Sequence, residues 1–95
     1  MASSKDYLEY VLDLLEKVNN ISYRKMMGEY LLYSDGILFG GIYDDRFLIK
    51  KSPSLEYLSL SEEIPYDGAK PMYLIDSENK LEIAEIIDKL LDELK

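Results

Sequence analysis

The chain has 95 residues, enough for one domain covering residues 1–95 with a single modest core. Its 47% hydrophobic and 32% charged residues are typical of a folded globule. It has no cysteine and no histidine, which excludes disulfides, thiolate nucleophiles, the usual zinc sites and imidazole acid–base chemistry. A formal charge of −8 disfavours non-specific nucleic-acid binding, because a polyanion is repelled by the chain as a whole.

The apolar segments are too short for a membrane protein. None approaches the roughly 18 residues of a membrane span. The opening sequence MASSKDYLEY lacks the charged-then-apolar layout of a secretory signal. We therefore expect a cytoplasmic protein without membrane contact.

The first predicted element is an amphipathic helix from about Ser4 to Val18. Ser3 or Ser4 is a suitable N-cap, with Asp6 in capping-box position relative to Ser3. The apolar residues at helical spacing are Tyr7, Val11, Leu14, Leu15 and Val18. Asn19-Asn20 can supply the left-handed residue that ends the helix.

Four strands follow, because the apolar period changes from 3.6 to about two residues after Asn20. The predicted strands are Ile21–Met26, Tyr30–Tyr33, Ile37–Tyr43 and Arg46–Lys50. The connections Ser34-Asp35-Gly36 and Asp44-Asp45 are short and rich in residues that tolerate positive φ. Short connections join antiparallel neighbours, so these strands form a meander.

The third strand is apolar on both sides. Simple alternation places Ile37, Phe39 and Tyr43 on one face and Leu38 and Ile42 on the other. A strand with one face in water alternates apolar with polar residues, so the second face must be covered by other parts of the chain or by a second copy. Gly40-Gly41 predicts a bulge or a close backbone approach.

The last third of the chain adds a strand and a helix. The segment from Leu55 to Leu60 is either a short helix or irregular. Met72–Ile75, introduced by Pro71, is short enough for an edge strand. Asp76 or Ser77 is expected to cap a final helix that runs to the end of the chain. The fold class is therefore α+β: an antiparallel meander of four strands plus a fifth late strand, flanked by N-terminal and C-terminal helices.

Cations are concentrated in the strand region. Between Ile21 and Lys51, five cations accompany four anions, whereas the remainder of the chain is strongly acidic. The candidate partner contacts are Arg24, Lys25, Arg46 and Lys50. Arg24 either contacts a partner carboxylate or phosphate through its forked donors, or pairs with a carboxylate of this chain while Lys25 is solvated.

Two other patterns have both a functional and a structural interpretation. Tyrosines among the strand cations could stack single-stranded bases, or they could be half-buried sheet or interface residues. These tyrosines are Tyr23, Tyr30, Tyr33, Tyr43 and Tyr73. Carboxylate pairs such as Asp44-Asp45 and Glu62-Glu63 lack the spacing of a calcium loop and are expected to be solvated. We expect no enzymatic activity, no cofactor and no metal.

The strand region resembles the N-terminal domain family of TfoX, the Sxy-type regulators of natural competence, between Tyr23 and Ile75. The family's R-x-M-F-G core and the positions that follow it are matched by Arg24, Met26, Gly28, Tyr33, Gly36 and Phe39. Arg46–Lys50 resembles the family's apolar strand ending in Lys, and Pro71–Leu74 its late strand. Met27 stands where the family usually has Phe, and Leu48 stands where it commonly has Tyr. We interpret both as conservative core substitutions.

The resemblance implies a fold of the secretion-chaperone type and a regulatory domain linked to transcriptional control of competence. The chain departs from full-length competence regulators in lacking their helical C-terminal domain, so we expect a standalone, non-enzymatic N-terminal domain. Its acidic balance favours a protein partner, such as a transcription factor, and we expect a homodimer through the sheet or its apolar second face. The alternatives are a small-ligand-binding or chaperone-like module and, less favoured, direct nucleic-acid binding.

Overall fold

The computed structural model describes residues 3–95; residues 1 and 2 of the predicted domain lie outside the described residues. The helices and strands, in chain order, are α1 (Lys5–Leu14), β1 (Ile21–Met26), β2 (Glu29–Ser34), β3 (Ile37–Ile42), β4 (Phe47–Ile49), β5 (Glu62–Glu63), β6 (Met72–Leu74) and α2 (Lys80–Leu94). A 3₁₀ helix, Pro53–Leu58, overlaps the segment for which the sequence predicts either a short helix or irregular structure. Among these residues, no helix is both long and apolar enough to cross a membrane.

The strands of the described chain form one antiparallel sheet in the order β1-β2-β3-β4-β6-β5. The predicted α+β class, the four-stranded meander and the two helices are confirmed. The prediction of an edge strand at Met72–Ile75 is wrong, because β5 pairs along the outer side of β6. A strand of two residues has no periodicity by which the sequence could reveal it.

Both helices pack on one face of the sheet, here called the helix-side face; the opposite face is the outer face. A single buried cluster joins the apolar stripes of the two helices to alternate residues of the strands. Its fully buried members include Val11, Leu32, Phe47, Ile49 and Ile87, each 0% exposed. Burial of apolar side chains of this size stabilises the fold by about 1.5–3 kcal/mol each.

The third strand contains the predicted bulge. Leu32 pairs with Gly40 but Tyr33 pairs with Leu38, so Phe39 is an extra residue in β3. The extra residue shifts the in-and-out alternation of the side chains that follow it. Ile42 therefore lies in the core on the same face as Phe39, whereas simple alternation predicts opposite faces. A Cβ on Gly40 would lie 2.4 Å from the Leu48 carbonyl oxygen, so the two backbones approach closely only because residue 40 is glycine.

The helix boundaries differ from the predicted ones at two points, the end of α1 and the start of α2. Ser4 caps α1 by accepting a hydrogen bond from the Tyr7 N–H, but α1 ends at Leu14, four residues before the predicted Val18. Looser turns continue to Asn20, which has the expected positive φ of 49°. Asn79, rather than Asp76 or Ser77, caps α2 by accepting from the Glu82 N–H.

Candidate interaction site

The first hairpin places the predicted cations at an open edge of the sheet. β1 is the terminal strand, and its residues from Ser22 to Met26 are all exposed. Arg24 lies opposite Leu31, an outer-face residue of β2, and Lys25 lies opposite the core residue Tyr30. Adjacent strand residues point to opposite faces, so one cation lies on each face of this edge.

Neither of these cations has a counter-ion in the described part of the chain. Their cross-strand neighbours Leu31 and Tyr30 carry no charge, and no salt bridge among residues 3–95 involves Arg24 or Lys25. The interpretation in which Arg24 pairs with a carboxylate of this chain is therefore wrong. The two charges are left available on an exposed strand.

The carboxylate nearest to them along the hairpin, Glu29, is occupied elsewhere. Its Oε1 accepts hydrogen bonds from the backbone N–H of Ser3 at 3.0 Å and from the Ser3 hydroxyl at 2.6 Å. Its Oε2 accepts from the Asp44 N–H at 3.0 Å. Glu29 thus connects the N-terminus to the β3–β4 turn, and its charge is satisfied by these donors instead of by Arg24.

The tip of the same hairpin and the strand beside it expose large apolar side chains to solvent. Met27 and Gly28 form the two-residue turn with φ of 52° and 84°, a geometry that favours Asn-Gly. Met27 is 96% exposed, so its interpretation as a core substitution is wrong. Met26 and Tyr23 are 52% and 50% exposed. We call Tyr23, Arg24, Lys25, Met26 and Met27 the edge surface.

Arg46, another predicted contact, is occupied by contacts within the chain. Its guanidinium donates to Glu63 Oε1 at 2.7 Å, to the carbonyl of Tyr43 at 3.1 Å, and to the carbonyls of Ile64 and Pro65 at 3.3 Å. These bonds hold the segment after β5 against the outer face. Lys50, the fourth candidate, is half-buried beside β4, apart from the edge surface in the sheet order.

The opposite edge is short and its side-chain charges are paired within the chain; we call it the closed edge in this sense. The two residues of β5 are both glutamates, and each has a cation of the chain beside it. Glu63 pairs with Arg46 at 2.7 Å, and Glu62 pairs with Lys51 at 2.9 Å. The hydrogen bond to Glu62 raises the pKa of Lys51, as expected for an ammonium group beside a carboxylate.

The tyrosines do not form one stacking platform. Tyr30 and Tyr73 are 6% and 4% exposed and belong to the core. Tyr43 is half-buried on the outer face, its ring centroid 6.1 Å from that of Tyr66, and burial is the main cause of its raised pKa. Only Tyr23 of the five is exposed, and its ring packs edge-on against Tyr30 with centroids 5.9 Å apart.

The carboxylates also serve the chain's own structure. Asp45 Oδ1 accepts from the Ser4 N–H at 2.8 Å, next to the Ser3–Glu29 bonds. Among residues 3–95, no group of three or more acidic side chains is arranged to hold a metal ion. The acidic residues of α2, Glu82, Glu85, Asp88 and Asp92, are exposed.

These features define a class: an α+β domain with one antiparallel sheet, helices on a single face and an open cationic edge. The family model described as "TfoX N-terminal domain" matches residues 13–79. The chain belongs to the TfoX N-terminal domain family, as its residue pattern indicated.

A curated relative supports the same assignment. The chain is 32% identical over 78 residues to the "Uncharacterized 12.7 kDa protein in trpE 5'region" of Spirochaeta aurantia. The match covers 80% of this chain and 68% of that protein.

Proposed function

We propose that this chain is a non-enzymatic regulatory domain that acts by binding another protein through the edge surface. The observation that supports this is the pair of exposed, unneutralised cations Arg24 and Lys25 beside three exposed apolar side chains. Surface patches that combine large apolar residues with arginine are typical of protein interfaces. Membership of the TfoX N-terminal domain family supports a role in transcriptional control of DNA-uptake competence, with a transcription factor as the expected class of partner.

Site-specific photo-crosslinking in cells tests this function. A photoreactive amino acid at Met27 is expected to give a discrete protein adduct, identifiable by mass spectrometry. The matched control is the same amino acid at Tyr57, which is 67% exposed and lies in the 3₁₀ helix far along the chain. The proposal fails if position 27 gives no adduct beyond those seen at position 57, or if its adducts are nucleic acid.

A homodimer stays part of the proposal and uses the outer face. Leu31, Tyr33 and Leu38 lie half-buried there, away from both helices. Light scattering at high micromolar concentration is expected to give the mass of two chains. A mass of one chain under those conditions rejects the dimer without affecting the edge surface.

The small-ligand alternative has weaker support. Two clefts among the described residues measure about 250 and 260 Å³, below the roughly 300–1,000 Å³ of typical ligand pockets. A thermal-shift screen separates the alternatives, because a ligand at about a hundred times its Kd stabilises the fold by about 2.7 kcal/mol.

A further inference from the structure

We infer that the edge surface receives an extended segment of another protein that carries two adjacent acidic residues, added to the sheet as a strand beside β1. This inference rests on the proposed function and specifies the chemistry of the partner. It follows from the backbone of β1, from the arrangement of its charges and from its hairpin tip.

The backbone of β1 can pair with another strand. In an antiparallel sheet, alternate residues of a terminal strand direct their N–H and C=O groups away from the sheet. β1 is six residues long and no described residue pairs along its outer side. An exposed edge of this length is a template for strand addition, in which main-chain hydrogen bonds supply affinity and side chains supply specificity.

The charges specify what the added strand carries. Arg24 and Lys25 lie on opposite faces of the edge, so two carboxylates that neutralise both must also lie on opposite faces. Adjacent residues of a strand satisfy this condition, and opposite charges placed across neighbouring strands stabilise pairing. At the other edge of the sheet, the adjacent glutamates Glu62 and Glu63 are also each paired with a cation, Lys51 and Arg46, although those two cations flank β4 instead of lying on the neighbouring strand.

A second copy of this chain does not fit the edge. Two β1 strands paired about a two-fold axis would bring the cations of both copies together, and like charges across strands are destabilising. The acidic pair of β5 is already bound to Arg46 and Lys51, and that strand has only two residues. The edge therefore selects a different protein.

The hairpin tip points to an apolar residue in the same segment. Met27 occupies a left-handed turn position at φ 52°, which is unfavourable for a residue other than Gly, Asn or Asp. Burial of the Met27 side chain does not offset this unfavourable conformation, because the side chain is 96% exposed. Contact with a bound segment would bury Met27, and this accounts for a side chain that the fold itself does not need.

The test uses two blocked peptides of about seven residues, slightly longer than β1. One has a central Glu-Glu pair flanked by valine and threonine, and the other has Lys-Lys in the same frame. Each is titrated into the ¹⁵N-labelled full chain and followed by amide chemical shifts and hydrogen exchange. We expect the acidic peptide alone to bind, with new protection at alternate β1 amides, and R24E/K25E to weaken it about tenfold and to accept the lysine peptide instead.

The control is K17E/K70E, which reverses two exposed lysines outside β1 and changes the net charge equally. It is expected to retain binding of the acidic peptide, and thermal unfolding by circular dichroism verifies that both double variants are folded. Four results would each overturn the inference. These are equal binding of the two peptides, chemical-shift changes confined to strands other than β1, displacement of the peptide from the β1 amides by a single-stranded oligonucleotide, and self-assembly that R24E/K25E abolishes. If neither peptide binds while position 27 still crosslinks to a protein, the acidic-strand inference fails and the proposed function stands.

Discussion

The two terminal strands of the sheet each carry a pair of like charges, but only the charges of β5 are neutralised within the described chain. Each presents two adjacent charged residues on opposite faces: Arg24 and Lys25 on β1, Glu62 and Glu63 on β5. The glutamates are neutralised by cations of the chain and sit on a strand of two residues. The cations of β1 have no described counter-ion and lie on a strand of six residues whose outer side no described residue pairs with. Very short edge strands resist pairing with other chains, whereas a long open edge permits pairing with a strand whose charges neutralise its own.

We infer from this difference that the β5 edge contributes to stability and that the β1 edge is the one available to a partner. At β5, the ion pairs connect the strand to Arg46 and Lys51, which lie before and after β4 and are distant from β5 in sequence. At β1, the one carboxylate within the hairpin is used to fix the N-terminus, so the edge gains no internal contact. The chain thus uses Arg46, next to the start of β4, in contacts within its own structure and leaves Arg24, in the middle of β1, exposed.

The largest expected effect comes from exchanging these two arginines for methionine. Arg46→Met removes four hydrogen bonds, including a charge-assisted one, and is expected to lower the free energy of unfolding by about 2–3 kcal/mol. Arg24→Met is expected to change it by less than about 0.5 kcal/mol. Urea unfolding followed by circular dichroism measures both. Equal losses in the two variants would remove the distinction between the edges.

A smaller and opposite effect is expected at the hairpin tip. Met27→Asn supplies the residue that this turn geometry prefers, so the free energy of unfolding is expected to rise by about 0.5–1 kcal/mol. The same change removes the exposed side chain and is expected to weaken binding of the Glu-Glu peptide. Calorimetry and the peptide titration measure the two effects on one sample. A gain in stability with unchanged binding would assign Met27 no role at the interface.

The smallest effect concerns pH at the closed edge. The pKa of Lys51 is raised in the folded chain above its usual 10.5, mainly by its hydrogen bond to Glu62. A raised lysine pKa contributes stability that is fully present below pH 10.5 and is lost as pH rises through the folded-state pKa. Unfolding measured between pH 9 and about 11.5 is expected to show a slightly shallower alkaline decline in Lys51→Met than in the parent chain. An unchanged decline would mean that this ion pair contributes nothing to the edge.

Much of this architecture could be predicted from local sequence. β1 matches its predicted bounds, because ISYRKM lies between Asn20 and the Met27-Gly28 turn. Turn residues indicate the ends of the next strands in the same way. β5 could not be found, since two residues have no period. The bulge was foreseen from Gly40-Gly41, but its effect on Ile42 depends on register with β2, which the sequence does not reveal.

The candidate site could be predicted only in part. Arg24 and Lys25 stand out as adjacent cations in an acidic chain, and the structure leaves them exposed. The sequence pattern groups Arg46 with them, because the Glu63, Ile64 and Pro65 acceptors that occupy its guanidinium lie 17 to 19 residues later and a local pattern does not reveal them. Met27 was interpreted as core because an apolar residue in a family motif is usually packed; only the turn geometry shows that it projects into solvent.

The central claim, an open edge at β1 and a closed one at β5, is tested most directly by amide hydrogen exchange of the free chain at low and high concentration. The account predicts that alternate amides of β1 exchange as fast as solvent-exposed groups at both concentrations, while the amides joining β6 to β4 and β5 are protected. Slow exchange throughout β1 in the free chain would contradict it, because that edge would then already be occupied.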